Sequence, residues 1–484
     1  MIAKINLLRW VKIAFIGVLA LILTIYLFLI IALEWTASGP GYSKEAQDAV
    51  FAKSSKPHKI KLIDTGILSL SERLKIIEEA KESIELEFFI FNLDRSSRLI
   101  TQAMLKKAKE GVQIRLLVDF SIAVFQLRPA YANLMESAGI QIKYYNTSPL
   151  HRLFSIQHRS HRKLLIVDGT KVITGGRNIG DDYFDLSEQY SFLDSDILVE
   201  GPLVETIRSS FNLYWNSDLA KEPKSLNEII SIKDQQEAIR YLKLQEGDLN
   251  VLAQIEELKK SRTSELPESV CTETIFVTDF PGAGEAHRKI YSTIVQLVSE
   301  VEDEIYVESP YFVLRQEGYD VFKKMTDQKV EVKVLTNGLY STDAFYVISP
   351  LWLHLGWIAK SGIELYAYRG ESLSDSPIMT QSSVRWGIHA KRAVLDRKTV
   401  LLGTYNIDPR SANLNSELML VCKNNPIFAE QVLNSIQKRI DQSSLVVSEK
   451  QIVDKDALMK NSTFKQKLLT ILAVPLAASF SFIL

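Results

Sequence analysis

The 484-residue chain predicts an α/β fold of two pseudo-symmetric lobes, each a mostly parallel β-sheet flanked by helices, with an N-terminal transmembrane helix. Three observations carry this. Apolar runs rich in Val, Ile and Leu alternate with helical patterns, the arrangement of a sheet covered on both faces. The alternation is written twice at matching spacing. Finally, the stretch from Ile13 to Leu33 carries no charge.

That stretch spans about 31 Å at roughly 1.5 Å per residue, the thickness of a bilayer core. It is too long for the apolar region of a signal peptide, so an uncleaved anchor is expected. Lys4, Arg9 and Lys12 precede it and Glu34 follows. The positive-inside rule then leaves residues 1–12 as a cytoplasmic tail, places the anchor at 13–35 and puts the body on the extracytoplasmic side.

The repeat begins with "SIELEFFIF" (83–91), "VQIRLLVDF" (112–120) and "SAGIQIKYY" (137–145). It returns as "EIYVESPYF" (304–312), "VEVKVLTNG" (330–338) and "KSGIELYAY" (360–368). Helical patterns such as "SERLKIIEEAKES" (71–83) and "AHRKIYSTIVQLVSEVE" (286–302) stand between the strands. Repeats of this length are domains rather than solenoid units. The expected division is a first lobe at 36–216, a charged helical linker at 217–270, a second lobe at 271–445 and a C-terminal segment at 446–484. The tail "FKQKLLTILAVPLAASFSFIL" (464–484), interrupted by Pro475, is read as membrane-interacting. "AFYVISPLWLHLGWIA" (344–359) is either a helix buried between lobes or a membrane-facing wall.

Composition is globular, with 46% hydrophobic and 24% charged residues and a net charge of −1. The missing basic surplus argues against a protein built to grip nucleic acid. Cys271 and Cys422 lie far apart without metal-ligand spacing, so two buried thiols are the simplest expectation, with one optional bridge left open.

The chemistry sits on a duplicated motif. His161-x-Lys163-x4-Asp168-x6-Gly175-Gly176-x-Asn178 matches His389-x-Lys391-x4-Asp396-x6-Gly403-Thr404-x-Asn406. Residues i and i+2 of a strand share a face, so each His projects with its Lys. The glycine-rich turn can return each Asn beside them. If the lobes pack about a pseudo-twofold, two His, two Lys and two Asn converge into a socket for one phosphodiester. Lysines supply charge, amides supply donors, and imidazole is both nucleophile and acid near neutral pH.

The twin HxKxxxxD pattern resembles the phospholipase D superfamily over residues 60–440. "GGRNIGDDYF" (175–184) and "NIDPRSANLNSE" (406–417) resemble its cardiolipin synthase branch. "ESPYFV" (308–313) and "VLTNGLYSTDAF" (334–345) resemble the C-type bacterial cardiolipin synthases. The resemblance implies phospholipase D-like lobes and a ping-pong reaction without metal or other cofactor. His161 would attack phosphorus and His389 act as acid and base, although near-symmetry leaves the reverse order open. Lys163, Lys391, Asn178 and Asn406 would hold the phosphate, and Asp194 and Glu417 would orient the histidines. Asp168 and Asp396 complete the catalytic motif, with an expected supporting role away from the phosphate.

The leading function is then a membrane-anchored phosphatidyltransferase making cardiolipin in a bacterial inner membrane. Phosphatidylglycerol would be the acceptor and phosphatidylglycerol or phosphatidylethanolamine the donor. An accessory protein is left open. The alternatives are a phospholipase D releasing phosphatidic acid and, more distantly, a nuclease. His58, His151, His158, His287 and His354 have no duplicated counterparts and are read as surface or core residues, His158 being the one near the site.

Overall fold

The computed structural model describes residues 14–28, 43–121, 124–147, 157–226, 228–260, 266–282, 288–371 and 384–480. Among these are two large sheets, one of nine strands and one of ten. In the first, Ser83–Phe88, Gln113–Asp119 and Ile140–Tyr145 run parallel. The hairpin Leu164–Val167/Lys171–Gly175 pairs back on Ser83–Phe88, and Asp196–Glu200 and His58–Ile63 extend the sheet, all antiparallel. The second sheet repeats this. Glu304–Glu308, Glu331–Asn337 and Glu364–Tyr368 are parallel, and the hairpin Arg392–Leu395/Thr399–Gly403 pairs antiparallel with Glu304–Glu308.

The expectation of mostly parallel sheets is therefore corrected: each sheet is mixed, parallel only across its three helix-linked strands. The physical reason is that a strand buried on both faces reads as a continuous apolar run whichever way its neighbour points. Leu164 and Ile166 join one core cluster while Leu165 and Val167 join another on the opposite face. The central cluster is shared by the inner faces of both sheets and by helices Leu203–Trp215 and Pro426–Asp441. Each lobe has a second core beneath its outer helices.

The sheets exchange their edges. Phe51–Ser54 pairs with Glu273–Thr278 in the second sheet, and Glu268–Cys271 pairs with His58–Ile63 in the first. Cys271 and Cys422 form a disulfide with Cα atoms 5.9 Å apart, which joins the exchanged strand to Leu418–Lys423. Two buried thiols, the simpler expectation, are thus replaced by the bridge. A spacing of 151 residues gave no sign that the sheets would bring the two together.

The charged stretch after residue 217 is more than a solvated connector. Its helices Ile232–Tyr241 and Glu246–Lys260 dock on the first lobe, where Arg98 Nε donates to Asp248 Oδ2 at 2.6 Å. Val251 and Ile255 enter that lobe's outer core.

Within the expected anchor, residues 14–28 are helical and largely exposed, whereas 1–13 and 29–42 lie outside the described residues. Among the described residues, no helix is long and apolar enough to cross a membrane. The two apolar segments flagged further along pack on each other. Helix Phe345–Lys360 carries Pro350 inside it and lies against helix Phe464–Phe480, where Ser349 Oγ donates to the Thr470 carbonyl at 2.8 Å. The first buries Leu351, Leu355 and Ile358 inward and exposes Trp352, Leu353 and Trp357 outward. The second exposes Phe464, Leu468, Ile471 and Leu472.

Candidate active site

The two motif hairpins deliver their histidines to the junction of the lobes. His161 precedes its strand and is held by its own N–H donating to the Ser416 carbonyl across the junction, at 2.9 Å. His389 does the same toward the Leu193 carbonyl at 2.8 Å. Parallel pairing of Tyr190–Leu193 with Arg385–Ile388 reinforces the seam. Both histidines and both lysines are buried.

Each imidazole takes its carboxylate from the opposite lobe. His389 Nδ1 lies 2.6 Å from Asp194 Oδ2, and His161 Nδ1 lies 2.9 Å from Glu417 Oε2. A proton on either Nδ1 would face the carboxylate, leaving Nε2 as the nitrogen turned away from it. The cross-over was not legible from the motif, which gives only the acids' places in each half.

The two dyads are chemically unequal. Burial alone would raise the Asp194 carboxyl, but His389 and Lys391 outweigh it and hold that group well below the usual carboxylate range. Burial pushes Glu417 up to about 7 against the pull of Lys163. Burial and Lys391 bring His389 down to about 4, opposed by Asp194. Burial, then Lys163 and Lys391, press His161 well below its ordinary value. Burial likewise lowers Lys391 to about 8 and Lys163 well below the normal lysine range. Four basic groups crowd a buried site, and an anion bound among them would offset the downward shift of each histidine and lysine.

The local sequence explains the inequality. Gly175 and Gly403 sit where any Cβ would lie 2.3 Å from the Ser195 carbonyl oxygen or 2.2 Å from that of Leu418, so neither tolerates a side chain. At the next position the repeats differ. A Cβ on Gly176 would lie 2.1 Å from Asp194 Oδ1, and only glycine leaves room for that carboxylate. Its counterpart Thr404 donates Oγ1–H to Glu417 Oε2, and Ser411 Oγ donates to Glu417 Oε1 at 2.9 Å. The aligned motifs set Thr404 opposite Gly176, but nothing in them pointed to Ser411. Nor did they point to the aromatic walls: Phe89 lies 5.3 Å from the His161 ring, and Phe192 and Tyr183 lie 4.7 and 5.3 Å from the His389 ring.

The asparagines also differ. Asn178 accepts from the Ile90 N–H at 3.1 Å and donates to the Tyr183 hydroxyl at 3.0 Å, so its amide is already engaged. Asn406 is buried with an Oδ1 that makes no hydrogen bond among the described residues.

Asp168 and Asp396, part of the catalytic motif in sequence, stand away from the histidines. The Asp168 carboxylate accepts from the backbone N–H groups of Lys81, Glu82 and Ser83, and Asp396 from those of Glu302, Asp303 and Glu304. Each occupies the left-handed region at a hairpin tip, a conformation Asp tolerates. Each ties its hairpin to the start of the neighbouring parallel strand and touches no reacting group.

The remaining histidines serve packing. His58 Nε2 accepts from the Leu203 N–H at 3.1 Å, His354 Nδ1 lies 3.2 Å from the Tyr319 hydroxyl, and His158 is buried with its carbonyl accepting from Asn146 Nδ2. His151 and His287 lie outside the described residues.

Twin histidine–lysine hairpins meeting at the seam of a duplicated α/β frame define an enzyme of the phospholipase D type. More narrowly, the chain belongs to the cardiolipin synthase, PLD-like domain family, whose model matches residues 74–215 and 294–442. It is 28% identical over 407 residues to cardiolipin synthase C of Escherichia coli K12, covering 79% of this chain and 84% of that one. It is 25% identical over 383 residues to the cardiolipin synthase of Oceanobacillus iheyensis, covering 79% and 68%. The solved phosphatidylserine synthase of Haemophilus influenzae shares the fold, with a TM-score of 0.63 over 88% of this chain and 95% of that one at 15% identity. The chain is thus a phospholipase D-type phosphatidyltransferase.

Proposed function

We propose that the enzyme makes cardiolipin by moving a phosphatidyl group from a donor phospholipid to phosphatidylglycerol through a phosphohistidine. The observation that carries this is the crossed, unequal pair of dyads. His161, beside a Glu417 held near neutrality, stays unprotonated and presents an Nε2 lone pair to phosphorus. His389, against the anionic Asp194, holds a proton more readily than His161, and a phosphate bound beside Lys391 favours that proton further, so it is the general acid.

In the first half-reaction the His161 Nε2–P bond forms and the P–O bond to the donor's headgroup breaks. The leaving oxygen takes the proton from His389 Nε2. In the second, His389 removes the proton from a glycerol hydroxyl of phosphatidylglycerol, that oxygen attacks phosphorus, and the N–P bond breaks. Lys163, Lys391 and Asn406 stabilise the charge that builds on the non-bridging oxygens, with Asn178 holding Tyr183 against His389. The donor is phosphatidylethanolamine or a second phosphatidylglycerol.

We place the body on the extracytoplasmic side of a bacterial inner membrane, tethered by the anchor at 13–35. The basic residues before that stretch support this, as does the Cys271–Cys422 bridge, since disulfides persist in oxidising compartments. The exposed apolar faces of helices Phe345–Lys360 and Phe464–Phe480 form the surface that meets the lipid. Labelling of introduced surface cysteines by an impermeant reagent on intact spheroplasts tests the placement. Labelling only after lysis would reverse it.

The activity is tested on detergent-purified protein given phosphatidylglycerol with and without phosphatidylethanolamine, with products resolved by mass spectrometry. Cardiolipin that disappears in His161→Ala and His389→Ala is expected. Phosphatidic acid as the sole product would make the enzyme a hydrolase.

A further inference from the structure

The lobes share an order of helices and parallel strands, but the helix before the first parallel strand packs differently in each. Helix Gly66–Glu79 leads into Ser83–Phe88, and helix Lys289–Ser299 leads into Glu304–Glu308. The first helix fills the space over its sheet with Ile67, Leu70, Leu74 and Ile77, all buried. The second buries only Ile290 and Leu297. Its Ile294 and Val298 are half-covered, and Tyr291 is 44% exposed. Between this helix, helix Gln316–Asp327 and the sheet lies a narrow apolar cavity of about 130 Å³.

The cavity borders the reaction centre through Lys391. Lys391, Ala393 and Leu395 share one face of their strand by the two-residue period, and all three line it. The chain from Gly403 to Ile407 is a partition. Thr404 turns to Glu417, and Tyr405 and Ile407 line the cavity. The remaining walls are apolar, among them Val295, Val321 and Phe322. Glu308 at the rim is neutralised by Arg392 at 2.6 Å. Cavities so lined take apolar ligands. At the far end Leu314 also borders a second cavity of about 510 Å³, which reaches Leu353 and Trp357 on the apolar outer face of helix Phe345–Lys360.

We propose that this cavity is an acyl-chain subsite: it receives one fatty tail of a phospholipid substrate whose phosphate lies between His161 and His389. The proposal rests on the phospholipid reading of the site. The tail runs from Lys391 toward Leu314, and the counterpart space in the first lobe is filled by Ile67, Leu70, Leu74 and Ile77. Each methylene buried strengthens binding about fourfold, so the subsite selects long-chain lipid and pins the phosphate in register.

The test uses the full chain in mixed micelles, with dioleoyl- or dihexanoyl-phosphatidylglycerol as substrate and Val295→Trp as the filling variant. The dioleoyl kcat/KM is expected to fall at least tenfold while dihexanoyl turnover stays within twofold, which also shows that the variant is folded. Phosphatidylglycerol with a diazirine on one tail is expected to label helices Lys289–Ser299 and Gln316–Asp327 in the wild type and to lose that label in the variant. Equal effects on both chain lengths, or label confined to residues 345–360, would overturn the subsite. If the wild type transfers no phosphatidyl group from either lipid, the functional reading fails instead, and the labelling pattern still decides what the cavity binds.

Discussion

The inequality of the two dyads makes a quantitative prediction. Asp194→Asn keeps the shape of the side chain but removes the charge that faces His389 Nδ1 at 2.6 Å. Charge centres about 4 Å apart attract by about 4 kcal/mol at an effective dielectric near 20. At about 1.36 kcal/mol per factor of ten, losing that support when His389 becomes imidazolium costs roughly a thousandfold in kcat. Glu417→Gln removes far less. Burial pushes Glu417 up to about 7, so near neutrality its charge is already partly lost, and Thr404 can still donate to the amide oxygen while Ser411 accepts from the amide N–H. A loss of about tenfold is expected there. The assay is initial-rate cardiolipin formation at pH 7 under saturating lipid, with thermal unfolding to show that both variants are folded. Equal losses, or a greater loss for Glu417→Gln, would refute the assignment of His389 as the acid and His161 as the nucleophile.

Three further outcomes are expected. Lys391 is cationic only below about pH 8, so kcat/KM should fall as pH rises through 8; in Lys391→Arg, which stays charged, that alkaline limb should move upward by at least one pH unit. Gly176→Ala drives a methyl group into the Asp194 carboxylate, and activity should fall on the order of a hundredfold with circular dichroism unchanged. Cys271→Ser opens a bridge spanning 151 residues and should cost about 2–4 kcal/mol of stability, read as a lower denaturation midpoint, with low-temperature turnover within twofold of wild type.

The sequence revealed the duplication and the paired His–Lys hairpins because a period-2 strand led by two basic residues is costly and was written twice. It did not reveal strand direction, because Leu164–Val167 and Arg392–Leu395 are covered on both faces and their apolar runs are the same for either orientation. The crossing of Asp194 and Glu417 was hidden as well. Each acid sits at matching points of its own half, and only the seam between lobes decides which histidine it meets. The linker's charges concealed Val251 and Ile255, two apolar residues enough to dock a helix when Arg98 and Asp248 pair beside them. The unfilled cavity depends on how far one helix stands off its sheet, and residue types alone do not encode that distance.

The traded edge strands bear on how the chain comes into being. While the protein is being made, His58–Ile63 emerges early, but its partner Glu268–Cys271 follows about 200 residues later. At roughly 5–20 residues per second the nascent sheet carries an unpaired border for tens of seconds, the kind of border that recruits other chains. Phe51–Ser54 waits equally long for Glu273–Thr278. A ribosome that stops between the two copies therefore releases a half with a raw edge and a histidine lacking its acid. The ancestral doubling has become indivisible, and neither copy can return to life as a separate gene product without first recovering the border it gave away.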